Sequence, residues 1–227
     1  MTEQAEHATK LRFVRALGGA RVVSVGFFLY GANRNHDFTY AYLMWNLFLA
    51  WLPLVFALWL MRILRTRLWS SWQALSVSFL WLVFLPNSFY MISDYVHLQE
   101  VARVDILYDA VIFTSFIFTG VLLGASSLYL IHHELRKRLN ERQAGSWIAV
   151  TLFISSCAIY LGRDLRWNSW DILTNPGGLV FDVSDRLVHI SNYPQMLITI
   201  CSFFILLGMM YLLIWTGAAF LRTSKRS

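Results

Sequence analysis

Long apolar runs are the feature that most restricts what this chain can fold into. Five of them carry almost no charge, and they cover residues 41–61, 72–92, 106–131, 146–162 and 196–221. A helix of about 20 mostly apolar residues is long enough to cross a bilayer and satisfies its own backbone hydrogen bonds there. Each run therefore predicts a transmembrane helix, and none shows the alternation expected of β-barrel strands.

A weaker sixth run covers residues 17–33 and contains Arg21, whose long side chain can extend to the membrane surface. With it, the sequence predicts an all-α fold, a polytopic transmembrane bundle of about six helices. The expected organisation is one transmembrane domain over 17–221, between an N-terminal tail (1–16) and a basic C-terminal tail (222–227).

Composition agrees with a membrane location. Charged residues make up 14% of the chain and the mean hydropathy is +0.52, whereas soluble domains carry about 25% charged residues. Ten Trp and ten Tyr are suited to the two membrane interfaces, where amphipathic rings collect. The net charge of +6 comes from short clusters beside apolar runs, so the expected partners are membrane lipids and not nucleic acid.

The distribution of Lys and Arg predicts the orientation of the bundle. The two tails and the segments 62–71 and 132–145 hold thirteen of these residues, against five in 34–40, 93–105 and 163–195. Basic flanks stay in the cytoplasm, so both termini are predicted to be cytoplasmic. The other flanks, predicted to be external, hold many acidic residues, including Asp37, Glu100, Asp105, Asp182 and Asp185.

With this orientation, the polar residues of the second to fifth helices gather near their external ends. Four of them, spaced by 3, 4 and 3 residues along the third helix, share one face. The residues concerned are Asn46 in the second helix, Asn87, Tyr90, Asp94 and His97 at the end of the third, Asp105, Tyr108 and Asp109 at the start of the fourth, and Tyr160, Arg163 and Arg166 at the end of the fifth.

Charges at this depth need partners, because one at membrane depth costs about 2.5–3.5 kcal/mol on insertion scales. We expect Asp109 to pair with Arg163. Asn46 and Asn87 are expected to bridge helices, at about 0.6 kcal/mol for each hydrogen bond.

Three further segments have predicted structures. If the fifth helix continues past Gly162, then Arg163, either Arg166 or Trp167, and Trp170 share a face. The segment "TNPGG" (174–178) predicts a turn, followed by a short amphipathic helix in the interface. The segment "HHELRKRLNERQAG" (132–145) predicts a solvated extension of the fourth helix, with Glu134 and Arg138 as an i,i+4 pair.

The motifs "WLVFLPNSFYMISDYVHL" (81–98), "LYDAVIF" (107–113) and "LGRDLRWNSWDIL" (161–173) resemble the bacterial membrane protein family known as domain of unknown function 1361. The resemblance extends over roughly residues 40–215. It implies a multi-pass protein of the cell (inner) membrane and one shared architecture. It assigns no catalytic residue, because the family has no established activity.

The first functional hypothesis is a pocket that recognises a polar or anionic lipid or envelope component. Guanidinium groups suit phosphate and carboxylate, although both arginines are alternatively explained by pairing with Asp94, Asp109 and Asp171. The predicted ligand-binding residues are Asn46, Asn87, Tyr90, Arg163, Arg166, Asn168, Trp170 and Asp171.

The second hypothesis is a membrane-embedded hydrolase or transferase acting on a lipid-linked substrate. Asp94, His97 and Asp109 are its candidate catalytic residues, with Asp94 and His97 also candidate ligands of a divalent metal. The third is a non-catalytic subunit, a scaffold or a transporter component. The sequence leaves both the cofactor and the oligomeric state open.

Overall fold

The computed structural model describes residues 3–35, 40–97 and 106–224. Asp37, Glu100 and Asp105 lie outside the described residues. All regular elements in the described residues are helical, and a 3-10 stretch, Met91–His97, directly extends α3. The α-helices are α1 (Glu3–Asn35), α2 (Ala41–Ile63), α3 (Trp72–Tyr90), α4 (Ile106–Leu135), α5 (Glu141–Asp164), α6 (Asp171–Thr174), α7 (Pro176–Val188) and α8 (Pro194–Ser224).

Five helical segments in the described residues are long and apolar enough to cross a membrane, and each coincides with one of the apolar runs. They are Ala41–Ile63, Trp72–His97, Ile106–Leu135, Glu141–Asp164 and Pro194–Phe220. The weaker run at 17–33 lies within α1, which is long but is not among those five. The predicted all-α bundle is therefore confirmed, with α1 as its least apolar long helix.

The core is formed around α2, which packs between α3 and α4. Its buried residues recur every three or four positions, so one stripe of the helix faces its neighbours. The stripe consists of Leu43, Leu47, Ala50, Leu54, Ala57 and Leu60, and Leu49 and Pro53 beside it are also buried. Ser88 of α3 donates to the Ala50 carbonyl (3.0 Å), and the Trp81 indole donates to Ser127 of α4 (3.3 Å).

Two glycines allow α3 and α4 to approach closely. A Cβ at Gly120 would lie 2.9 Å from the Ser88 carbonyl oxygen, and one at Gly124 would lie 2.8 Å from Ser88 Cβ. Small residues at such spacing let helix backbones meet in membranes. This contact fixes α3 just before its 3-10 extension.

The basic end of the bundle departs from the sequence prediction. α4 ends at Leu135, and α5 begins separately at Glu141, where Asn140 and Gln143 form a capping box. His132 is only 6% exposed, its Nδ1 lies 3.0 Å from the Tyr211 hydroxyl of α8, and its ring stacks on Trp215. The predicted helical extension is therefore wrong beyond Leu135, and α8 buries the face of α4 that carries His132, although most of residues 136–145 are exposed as expected.

Glu134, which the same prediction placed in solvent, is also buried. It is paired with Lys137 at 2.6 Å and with Arg138 at 3.7 Å. The predicted i,i+4 pair is thus present, and two cations compensate the buried carboxylate.

The segment "TNPGG" is also different from the prediction. Asn175 caps α7 by accepting from the Gly178 N–H (3.1 Å), and Pro176 occupies the first helical position. The same residue types favour turns and helix starts, and here they start the predicted amphipathic helix.

Candidate functional site

A cleft of about 300 Å³ lies at the end of the bundle where α2 begins and α3 and α5 finish. Seven of the eleven predicted site residues line it: Asn46, Asn87, Tyr90, Asp94, His97, Asn168 and Trp170. The structure thus brings together residues from α2, from α3 with its extension, and from the segment after α5. The four face-sharing residues predicted on the third helix all belong to this lining.

Asp94 is the most deeply buried charged residue of the cleft, with 2% of its surface exposed. It lies in the 3-10 extension, and its Oδ2 accepts a hydrogen bond of 3.0 Å from Asn46 Nδ2 on α2. A buried carboxylate requires such a donor, since desolvation without a partner is costly. Asn46 therefore forms the predicted bridge, and it holds Asp94 at the cleft.

Asn87 connects α3 to the segment after α5. Its amide nitrogen donates to the Phe84 carbonyl (3.0 Å) and to Ser169 Oγ (2.8 Å), and Ser169 in turn donates to the Val83 carbonyl (3.3 Å). These bonds fix residues 165–170 against α3. We call the four side chains on this side of the cleft the polar wall: Asn46, Asn87, Asp94 and Ser169.

The chain reverses direction just after α5. Arg166 adopts a left-handed conformation (φ 59°), and the Trp167 N–H bonds back to the Leu161 carbonyl at 3.2 Å. A Cβ at Gly162 would lie 3.3 Å from the Tyr90 ring and 3.4 Å from the Trp167 carbonyl oxygen, so a glycine suits this crossing. The predicted continuation of the fifth helix past Gly162 therefore stops at Asp164, and Trp170 reaches the cleft through the reversal.

Asp171 stabilises this reversal and does not line the cleft. Its Oδ2 accepts from the Asn168 backbone N–H (2.7 Å), and its Oδ1 accepts from the Thr174 hydroxyl (3.1 Å). The hydrogen bonds, chiefly that from the Asn168 backbone, hold the pKa of Asp171 below its usual value. The carboxylate thus has a local structural role at the start of α6.

The three remaining predicted residues also lie outside the lining. Arg163 Nη1 donates a hydrogen bond to the Ser93 carbonyl oxygen at 2.8 Å, and among the described residues Arg163 makes no other side-chain hydrogen bond. The expected ion pair with Asp109 is therefore wrong, because a main-chain acceptor takes the place of the carboxylate. Asp109 is half-buried in the first turn of α4, and Arg166 is exposed.

α7 covers one side of the cleft, where its Leu179 contributes to the lining. The Trp167 indole donates to Asp182 (2.8 Å). Arg186 donates to the Tyr160 hydroxyl (3.3 Å) and lies over the Tyr193 ring, 5.0 Å from its centroid. α7 is thus attached at two points to the end of α5 and the segment after it.

Sequence reasoning missed several lining residues, among them Tyr42, Trp45 and Ser169. Tyr42 precedes Asn46 by one helical turn, and its ring meets the His97 ring edge-on at 5.7 Å. The i,i+4 spacing of Tyr42 and Asn46 could therefore have identified Tyr42 as a lining residue from the sequence. No sequence pattern could have identified Ser169, because its position depends on the reversal at Arg166.

Asp94 and His97, the candidate metal ligands, both line the cleft. Within residues 3–35, 40–97 and 106–224, no group of three or more His, Cys, Asp or Glu side chains is placed to hold a metal ion.

Five apolar helical segments and the packed all-α bundle define a multi-pass integral membrane protein. Within that class, the chain belongs to the family described as Protein of unknown function (DUF1361), whose match covers residues 45–210. That range includes the cleft from Trp45 and Asn46 through Leu179. Comparisons with curated proteins and with solved structures found no match.

Proposed function

We propose that the cleft binds the polar head of a membrane lipid or of a lipid-linked envelope component. The single observation that supports this is the composition of its lining, which combines the polar wall with apolar side chains at the end of a membrane bundle. Small-molecule sites commonly combine a mostly apolar lining with a few converging polar groups. The protein would sit in the cell membrane with both termini in the cytoplasm, so that the cleft faces outward.

Two kinds of apolar group suit an amphiphile. Leu49, Leu161 and Ile172 are lining residues that offer hydrocarbon contact. Trp45 and Trp170 also line the cleft but are 53% and 39% exposed. Such amphipathic rings favour the level of lipid head groups.

The polar form of this hypothesis has more support than the anionic form. Neither Arg163 nor Arg166 lines the cleft, and Arg163 is engaged by the Ser93 carbonyl. The guanidinium groups on which recognition of an anion would depend are therefore directed elsewhere or exposed.

Photoactivatable lipids test the proposal. The purified protein is irradiated with a diazirine-bearing phospholipid, and the labelled peptides are identified by mass spectrometry. We expect labels on the segments that line the cleft. Ala158 lines the cleft from α5, so Ala158→Phe should fill it and remove these labels.

The matched control is Ala149→Phe, which makes the same substitution at an exposed position of the same helix. It should leave the labels at the cleft unchanged. Equal labelling of the cleft peptides in wild type and Ala158→Phe would refute the proposal.

A hydrolase or transferase is a second candidate, favoured by one observation: Asp94 and His97, residues suited to acid–base chemistry, both line the cleft. Cells in which His97→Gln replaces the wild type should then accumulate an unprocessed lipid, detected by lipidomics. His133→Gln is the control, since His133 is exposed on α4. Identical lipid profiles for wild type and His97→Gln would exclude this role for His97.

A further inference from the structure

The hydrogen bonds of the polar wall leave it with few donors. Both N–H groups of Asn87 are engaged, one N–H of Asn46 is bonded to Asp94, and the Ser169 hydroxyl donates to a carbonyl. Only the second N–H of Asn46 is left among the donors of these four side chains.

The amide orientations behind this count are fixed by chemistry. Asn46 faces a carboxylate and Asn87 faces the Phe84 carbonyl, and both of these groups only accept hydrogen bonds. The amide nitrogen must therefore point to each of them, which determines where the amide oxygen lies.

The acceptors of the wall, in contrast, are unused. Asp94 Oδ1 and the amide oxygens of Asn46 and Asn87 accept no hydrogen bond from any residue the structure describes. Asp94 lines the cleft, and its Oδ1 is not among the fully buried side-chain atoms that lack a partner, so this oxygen is open to the cleft. A ligand in the cleft that donates hydrogen bonds can therefore satisfy these acceptors directly.

The charge of the lining also favours a ligand that donates hydrogen bonds, namely a cation. The described residues that line the cleft include the carboxylate of Asp94 but no lysine or arginine. They also include five Tyr and Trp rings, whose faces attract cations: Tyr42, Trp45, Tyr90, Trp167 and Trp170.

Three kinds of head group respond differently to such a lining. A phosphate or carboxylate only accepts hydrogen bonds and is negative, so it matches neither the unused acceptors nor the Asp94 carboxylate. A sugar hydroxyl both donates and accepts, and it gains nothing from the charge. An ammonium group has donors only and is positive, so it matches both the unused acceptors and the carboxylate.

We propose that the cleft selects lipids whose head group carries an ammonium, which donates to Asp94 Oδ1 and to the amide oxygens of Asn46 and Asn87. This inference rests on the proposed function, since it names the chemical class of the ligand at the same site.

Native mass spectrometry of the full chain tests it, with phosphatidylethanolamine, N-acetyl-phosphatidylethanolamine and phosphatidylglycerol of identical acyl chains, mixed in equal amounts. The wild type should bind phosphatidylethanolamine in excess of the other two. Acetylation removes the positive charge and two of the three N–H donors, so the bound fraction should fall about tenfold, as expected for the loss of a charge-assisted hydrogen bond.

Asp94→Asn should abolish the preference for phosphatidylethanolamine over phosphatidylglycerol. Asp164→Asn is the matched control, since it makes the same change of charge at an exposed position near the end of α5, outside the lining, and should keep the preference. If Asp94→Asn does not fold, the comparison of the two ethanolamine lipids on the wild type decides alone.

Two results would overturn the inference: equal or stronger binding of phosphatidylglycerol by the wild type, or an unchanged preference in folded Asp94→Asn. A monoglucosyl diacylglycerol that displaces phosphatidylethanolamine would also overturn it, in favour of sugar recognition. In each case the photolabelling experiment decides separately on the proposed function. If Ala158→Phe removes the labels at the cleft, lipid binding in the cleft is still supported. If it does not, both the proposed function and this inference are refuted.

Discussion

Gly124 is the position where the packing of the bundle makes the sharpest prediction. In Gly124→Ala, the new methyl group would lie 2.8 Å from Ser88 Cβ and 2.9 Å from two atoms of the Phe89 ring. Both neighbours are buried in α3, with 0% and 3% exposure, so neither has space to move away. Overpacking of this kind costs about 1–3 kcal/mol.

Replacing glycine by alanine within a helix also has a favourable effect, of about 0.8–1.0 kcal/mol. We therefore expect a net loss of up to about 2 kcal/mol of unfolding free energy, from the balance of overpacking and helix propensity. For a chain of this size, each kcal/mol lowers Tm by about 2–4 °C. Gly124→Ala should then unfold up to about 8 °C below the wild type, by the same scaling.

The measurement is thermal unfolding in detergent, followed by tryptophan fluorescence. Gly208→Ala is the matched control, because a Cβ at Gly208 in α8 meets no atom within 4 Å. It should unfold at or above the Tm of the wild type. If Gly124→Ala is as stable as Gly208→Ala, then α3 and α4 are not in the close contact described above.

Three other perturbations have defined outcomes. Asn140→Ala removes the capping box of α5 and should lower the unfolding free energy, measured by thermal unfolding, by about 1 kcal/mol. Asn140→Asp still accepts the hydrogen bond and should lower it less, and equal losses of stability in the two variants would exclude the cap as the cause. Asp171 has a lowered pKa, so the stability it contributes is present above the unfolded pKa of about 3.9 and is lost as the pH falls through the folded pKa. The Tm difference between wild type and Asp171→Asn should therefore shrink towards pH 3, and a constant difference would contradict this. In intact cells, an impermeant thiol reagent should label Asp164→Cys but not Arg138→Cys. Labelling of Arg138→Cys alone would reverse the predicted orientation.

Much of the fold was predictable because membrane helices have a strong local signal. The apolar runs locate the long helices, and the spacing of Asn87, Tyr90, Asp94 and His97 correctly indicates that they share one face. Asn46 was expected to bridge helices, since a polar side chain among apolar neighbours needs a partner, and it bonds to Asp94.

The remaining contacts depend on features that have no sequence pattern. Arg163 was assigned a carboxylate partner, but its acceptor is the Ser93 carbonyl, a group that every residue possesses. His132 was expected in solvent because its neighbours in the sequence are charged, while the side chains that bury it, Tyr211 and Trp215, are about 80 positions away. The left-handed conformation of Arg166 could not be predicted either, since such conformations are commonest at glycine and asparagine.

The reversal after α5 also determines when the site comes into existence. The hydrogen bond from Asn87 to Ser169 joins residues 82 positions apart, so a nascent chain that has inserted only its first four long helices has one half of the cleft. If the cleft binds a lipid as proposed, binding requires that residues 165–170 have been synthesised and folded against α3, and a chain truncated before them should be inserted yet unable to bind.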